Sequence, residues 1–217
     1  MSTLGNNLLA QYYAQNQGLP FGYEAVEYIQ NNNTTYIDTG YLAGSGCKLE
    51  IKIENPSYSQ HQTAFIFGAR ATTNPLTNAF AFCASEPTQN VKRFDYSSQL
   101  YRINGRLIAG QHTILKNKEK NYIDGVSVGD NETAIFTGTN NIYLFTINDR
   151  GVPSDGFLVG KLFYCKIWDD DKLKRNFIPC VRKSDGKPGL YDLCRSICPL
   201  TGTPFYINAG TGEFVTP

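Results

Sequence analysis

Cys47-Lys-Leu-Glu-Ile-Lys-Ile-Glu54 alternates without a break between apolar and charged residues. In an extended chain successive side chains point to opposite faces, so Cys47, Leu49, Ile51 and Ile53 share one face and Lys48, Glu50, Lys52 and Glu54 the other. A helix would scatter both sets around its circumference. A strand with one dry and one wet face accounts for them, and this period of two decides the fold class.

Outward from that stretch the same period recurs. Ala64-Phe-Ile-Phe67, Ala79-Phe-Ala-Phe82 and Ile142-Tyr-Leu-Phe145 are apolar on both faces and read as strands in the middle of packed sheets. Asn121-Tyr-Ile-Asp-Gly-Val-Ser-Val128 reads as a hairpin whose Asp124-Gly125 pair fits a two-residue turn. Further turn signals stand at Asn104-Gly105, Gly129-Asp130, Asp155-Gly156, Asp185-Gly186 and Asn208-Ala-Gly210. Thirteen Phe and fourteen Tyr against one Met favour sheet over helix. The expectation is an all-β, two-sheet antiparallel jelly-roll sandwich over residues 23–217.

Residues 1–22 differ in kind. Leu4, Leu8 and Tyr12 recur at four-residue spacing beside Leu9 and Tyr13, and Gly18 and Pro20 close the segment. A helix this short is marginal in water, so the stripe is expected to pack on its own sandwich or to anchor on a neighbouring subunit.

Charge narrows the partners. Twenty Lys and Arg face nineteen Asp and Glu, for a net charge of +1 and no like-charge block. Nucleic acid and anionic membrane both need clustered cations, so a roughly neutral partner is expected. The N-terminus lacks a basic, then apolar, signal pattern, and no apolar run reaches the ~20 residues of a membrane span. That points to synthesis in a cytosol and to free thiols at Cys47, Cys83, Cys165, Cys180, Cys194 and Cys198. Cys194-x3-Cys198 with Cys180 falls short of a four-ligand zinc set. His61 and His112 stand in no nucleophile or ligand context and read as structural. Asp169-Asp-Asp171, directly after Trp168, could offer oxygens to calcium.

From residue 26 onward the chain resembles the LamG-like branch of the concanavalin A-like lectin/glucanase superfamily, in the form found in phage and prophage structural proteins of gut bacteria. The phrases that carry the resemblance are Glu27-Tyr-Ile29, Tyr36-Ile-Asp-Thr-Gly40, Phe67-Gly-Ala-Arg70, Tyr122-Ile-Asp-Gly125, Asn141-Ile-Tyr-Leu-Phe145 and Gly160-Lys-Leu-Phe-Tyr-Cys-Lys-Ile-Trp168. They continue with Phe177-Ile-Pro-Cys180, Gly189-Leu-Tyr-Asp-Leu193 and Asn208-Ala-Gly-Thr-Gly-Glu-Phe214, while Cys194–Thr203 lengthens a link that is usually shorter.

The resemblance implies a jelly roll that binds glycans or serves as a virion module. It also implies a hairpin turn at Asp169-Asp-Asp171, so no metal or cofactor is expected. Glucanases of the superfamily carry a Glu-x-Asp-x-(x)-Glu motif that is absent here, and Glu50 and Glu54 alternate with lysines. No catalytic residue is therefore expected. Aromatic and hydrogen-bonding residues near strand ends nominate Arg70, Asn78, Arg93, Tyr96, Tyr101 and Trp168 as glycan contacts. The resulting expectation is a non-enzymatic phage virion protein, a capsid decoration, head fibre or tail component. It would seat on other virion proteins through the arm, assemble as a dimer or trimer, and present its lectin-like face to host or mucosal glycans. A receptor-recognition lectin is the alternative reading, and a polysaccharide hydrolase a third.

Overall fold

The computed structural model describes residues 18–31, 34–58, 62–73, 75–86, 88–131 and 133–217. The arm residues Leu4, Leu8, Leu9, Tyr12 and Tyr13, together with His61, lie outside the described residues.

Two large sheets face each other, and the described residues contain strands, turns and loops with no helix. The ten-stranded sheet runs Val126–Asp130, Lys120–Ile123, Gly110–Lys116, Cys47–Asn55, Lys161–Asp169, Lys172–Arg182, Lys187–Asp192, Phe205–Tyr206, with Tyr23–Ala25 and Ile29–Gln30 paired alongside. The eight-stranded sheet runs Gln99–Asn104, Val91–Ser97, Ala79–Glu86, Ala64–Arg70, Thr137–Leu144, Ile37–Gly44, with the short strands Asn148–Asp149 and Val152–Pro153 joined to it. The result is a jelly-roll sandwich.

Cys47–Asn55 alternates buried and half-buried at every residue, as its sequence requires. Its inward residues meet Phe67, Phe80, Phe82, Phe94 and Leu144 of the other sheet in one core. Phe82 and Phe94 stack with ring centres 4.3 Å apart. Ala64–Arg70 is buried throughout because it is a central strand covered on both sides. Leu19, Tyr23, Ile178, Cys180, Tyr191 and Phe205 form a second cluster on a separate face of the ten-stranded sheet.

One cation sits inside this core. Lys116 follows the inward parity of His112 and Ile114, is fully buried, and holds its ammonium 5.1, 5.5 and 4.9 Å from the rings of Phe80, Phe94 and Tyr96. Asn121 Oδ1 and Asn131 Oδ1 accept hydrogen bonds from it at 3.3 and 3.4 Å. Burial drives its pKa down to about 7, against the pull of Asp95 and Cys47.

Asp124 and Gly125 both have positive φ, as does the pair Asp170 and Asp171, so each pair closes a two-residue hairpin of the twist-matched kind. Turn geometry accounts for those aspartates. Gly129-Asp130, read from sequence as a turn, instead lies within the strand Val126–Asp130. There the Tyr101 ring occupies the space that a side chain on Gly129 would fill. His112 is pinned between Asp124 Oδ2 at 2.7 Å and the Ile108 carbonyl at 3.0 Å.

The Cys194–Thr203 segment is a strap tied by one carboxylate. Asp192, fully buried, accepts from the backbone N–H groups of Asn176, Cys194 and Ser196 at 2.8, 3.0 and 3.2 Å. Cys198 plugs into the core while Cys194 faces solvent, and all six thiols are free. Burial pushes the Cys83 thiol up to about 12 and raises the Cys47, Cys165 and Cys180 thiols as well.

Candidate functional site

The registers of the eight-stranded sheet place Leu100, Asp95, Ala81, Gly68, Tyr143 and Asp38 in one row across six strands. Phe67, Phe80, Phe82, Phe94 and Tyr96 point inward, so by the period of two this row lies on the face turned away from the core. Gly68 has no room for a side chain: a Cβ there would sit 2.3 Å from that of Ala81. The strands therefore approach closely beneath the middle of the face.

Beside the row, Phe65 packs with Ala81, Cys83 and Ile147. The guanidinium carbons of Arg70 and Arg93 stand 5.8 and 5.5 Å from the Phe65 ring centre. Arg70 forks onto Asp149, with Nε to Oδ1 at 3.1 Å and Nη2 to Oδ2 at 2.9 Å. Hydrogen bonds from Arg70 hold the Asp149 carboxyl below the usual carboxylate range. Arg93 takes Asp95 at 2.8 Å through Nε and Glu86 at 2.7 Å through Nη1, and Arg102 reaches Glu86 at 3.3 Å. Burial pushes the Asp95 carboxyl up, against the opposing pull of Arg93. Two charges this dry persist only as a hydrogen-bonded pair.

A local splice positions Arg70. Thr137–Leu144 pairs with Ala64–Arg70 at Phe67 and Gly68, and Asn148–Asp149 then runs parallel to Ala69 and Arg70. Side chains complete the ladder at the joint: Asn140 Nδ2 donates to the Arg70 carbonyl at 2.8 Å and Asn148 Nδ2 to the Asn141 carbonyl at 3.0 Å.

At the other end of the row Tyr36 and Tyr143 lie 4.7 Å apart, tilted by 35°. Burial and the Asp38 carboxylate raise Tyr143 to about 12. Asp38 accepts from the Gly40 N–H at 2.9 Å and from Asn141 Nδ2 at 3.4 Å. The Phe157 ring stands 6.5 Å from that of Tyr36, and its backbone forms a parallel β-bridge with Phe65. Next to it an open cleft of about 340 Å³ is lined by Gln62, Thr63, Ser154, Asp155 and Gly156.

Of the residues nominated from sequence, the structure brings Arg70 and Arg93 together on this face. Asn78 occupies a tight turn with φ of 49° between Leu76–Thr77 and Ala79–Glu86. Tyr96 is core, its hydroxyl donating to the Ser45 carbonyl at 3.1 Å, because it has the parity of Phe94 and not that of Arg93. Tyr101 packs against Gly129 at the sandwich edge, and Trp168 belongs to the other sheet with Lys48 4.7 Å over its ring. Glu54 is tied to Lys161 at 2.9 Å and to Gln111 at 3.3 Å. Phe65, Asp95, Asp149, Tyr36 and Tyr143 were not singled out from sequence. Arg93-Phe-Asp-Tyr96 could have revealed Asp95 by parity, whereas a strand apolar on both faces hides Phe65.

No family model matches the chain, and no curated protein matches it. Among solved structures it is similar to a proposed carbohydrate-binding protein from Bacteroides ovatus, with a TM-score of 0.58 and 11% identity over 89% of this chain. This chain spans 60% of that protein. A sialidase from Streptococcus pneumoniae is 14% identical over 70% of this chain and 26% of its own, at a TM-score of 0.45. A heptameric pentraxin from Limulus polyphemus is 14% identical over 69% of this chain and 76% of its own, at 0.42.

The fold is a two-sheet jelly-roll sandwich. On the outward face of the eight-stranded sheet the carboxylates of Asp95, Glu86 and Asp149 are each committed to an arginine. Such groups make fixed hydrogen-bonding surface. A carboxylate pair that must trade protons with a sugar needs one free acid and one free base.

Proposed function

We propose that this chain is a non-catalytic, lectin-like display domain that binds saccharide on the outward face of the eight-stranded sheet. The observation that carries this reading is the coupling of aromatic rings to planar polar groups at the Asp38 end of that face, where half-buried Tyr36 packs with Tyr143 beside Asp38 and Asn141, while Phe65, Arg70 and Arg93 are buried beneath it as support. Rings present apolar area to the C–H faces of a pyranose, and carboxylate and amide groups fix its hydroxyls. The neutralised carboxylates support binding over hydrolysis. Folded protein on a glycan array tests it: binding without product release is expected, and cleavage of a bound polysaccharide, or no binding at all, would refute it.

The finer form of the proposal places the domain on a phage particle, as a capsid decoration, head fibre or tail component. Its support is the sequence resemblance. In this form residues 1–22, through Leu4, Leu8, Leu9, Tyr12 and Tyr13, seat a dimer or trimer on other virion proteins, and the face just described points to the medium. Deleting residues 1–20 should abolish incorporation into particles; unchanged incorporation would remove the anchoring role. A free receptor-recognition lectin is the second reading, favoured by the same ring-and-amide face.

A further inference from the structure

Resting on the binding reading, we infer that the saccharide subsite is the rim where Phe157, Tyr36 and Tyr143 meet the cleft at Gln62, Thr63, Ser154, Asp155 and Gly156, and that it takes neutral sugars and rejects acidic ones. The rings form a continuous line: Tyr143 lies 4.7 Å from Tyr36, Tyr36 lies 6.5 Å from Phe157, and the Phe65 N–H donates to the Gly156 carbonyl at 2.9 Å. The cleft of about 340 Å³ at the end of this line is at the lower bound of small-ligand sites.

The walls of the cleft are fixed by short-range bonds. Thr146 Oγ1 donates to the Ser154 carbonyl at 2.9 Å, the Ser154 N–H to the Ile147 carbonyl at 3.0 Å, and Ser85 Oγ to the Gln62 carbonyl at 2.7 Å. Gly156 must be glycine here, because a Cβ would stand 2.9 Å from the Thr63 methyl and 3.2 Å from the Phe65 ring. A wall held this way meets a ligand without paying to become ordered.

Charge sets the ligand class. Of the described residues lining the cleft, Asp155 alone is charged, and Asp38 is the acid beside the tyrosines. The nearby cations are engaged: Arg70 and Arg150 on Asp149, Arg93 on Asp95 and Glu86. A carboxylate-bearing sugar would meet the like charges of Asp155 and Asp38, which is repulsion that discriminates against a wrong ligand. Neutral hydroxyls can donate to both carboxylates.

The test is calorimetric titration of the purified chain with neutral gluco-, manno- and galacto-oligosaccharides and with oligouronates and sialyl-oligosaccharides. Neutral ligands should bind and acidic ones should not. Asp155→Lys, at an exposed loop position, should weaken the neutral ligand by roughly tenfold, the worth of one charged hydrogen bond. Phe157→Ala should weaken it at least as much, and Tyr36→Phe keeps the ring should a larger change prevent folding. Trp168→Ala should leave affinity unchanged. Preference for acidic sugars, or binding lost in Trp168→Ala and kept in Asp155→Lys and Phe157→Ala, would overturn the subsite while leaving saccharide binding intact. Absence of binding to any sugar would overturn both.

Discussion

Lys116 is where a single side chain most visibly trades stability against pH. Its pKa is about 7 in the fold, against ~10.4 in an unfolded chain. Between those values the unfolded state binds the extra proton, so this residue's contribution makes stability rise with pH from about 7 toward 10, and below 7 its full cost is present. At ~1.36 kcal/mol per tenfold in proton affinity the net cost is on the order of 5 kcal/mol. The buried thiols act in the opposite sense above pH 8.5 or so, since they stay protonated in the fold. The Lys116→Met variant isolates the lysine: its stability minus that of the parent, from urea melts, should be most favourable at pH 6–7 and shrink toward pH 9.5. A flat difference would mean the amine is not held in the core. Arg93 lies at the opposite extreme, a cation completely paired. Arg93→Met strands the dry Asp95 carboxylate and should cost about 3–5 kcal/mol at pH 7, read as a lowered urea midpoint. Lys116 was not singled out from sequence: parity with His112 and Ile114 could have turned it inward, but its solvation by Phe80, Phe94 and Tyr96 of the other sheet depends on contacts that no local pattern encodes.

At the scale of elements, strand identity could be read wherever the two faces differ in polarity. Cys47–Asn55 is the clearest case, and the Asp124-Gly125 hairpin the next. What could not be read was which face of a doubly apolar strand meets the core, and so Phe65 and Tyr143 were passed over. Gly129 misled because glycine serves turns and close approaches alike, and here it makes room for Tyr101. The Asp170-Asp171 turn carries a strain that can be relieved: both residues are left-handed, and Asp171→Gly should stabilise the protein by about 0.5–1 kcal/mol. An unchanged or lower melting temperature would argue that these aspartates do something besides turning the chain. The strap offers the converse. Asp192→Ala removes one acceptor from three backbone donors, and hydrogen exchange should speed at Cys194 and Ser196 while strands of the eight-stranded sheet stay protected.

For the whole molecule, sheet, layers and core follow from alternation and turn chemistry, while the candidate site arises from register. Arg70 and Arg93 are twenty-three positions apart in sequence and meet only because two strands pairings bring Cys83 beside Arg93 and Ala81 beside Gly68. The two arginines were visible as residues, but their shared ring and their carboxylate partners were not. The central claim is that the outward face of the eight-stranded sheet is the binding face. Chemical-shift mapping of the isotope-labelled chain during titration with a bound oligosaccharide tests it most directly. The account expects saturable shifts at Tyr36, Arg70, Tyr143 and Phe157 with those of Lys48 and Trp168 unmoved; shifts confined to Lys48, Trp168 and their sheet would contradict it.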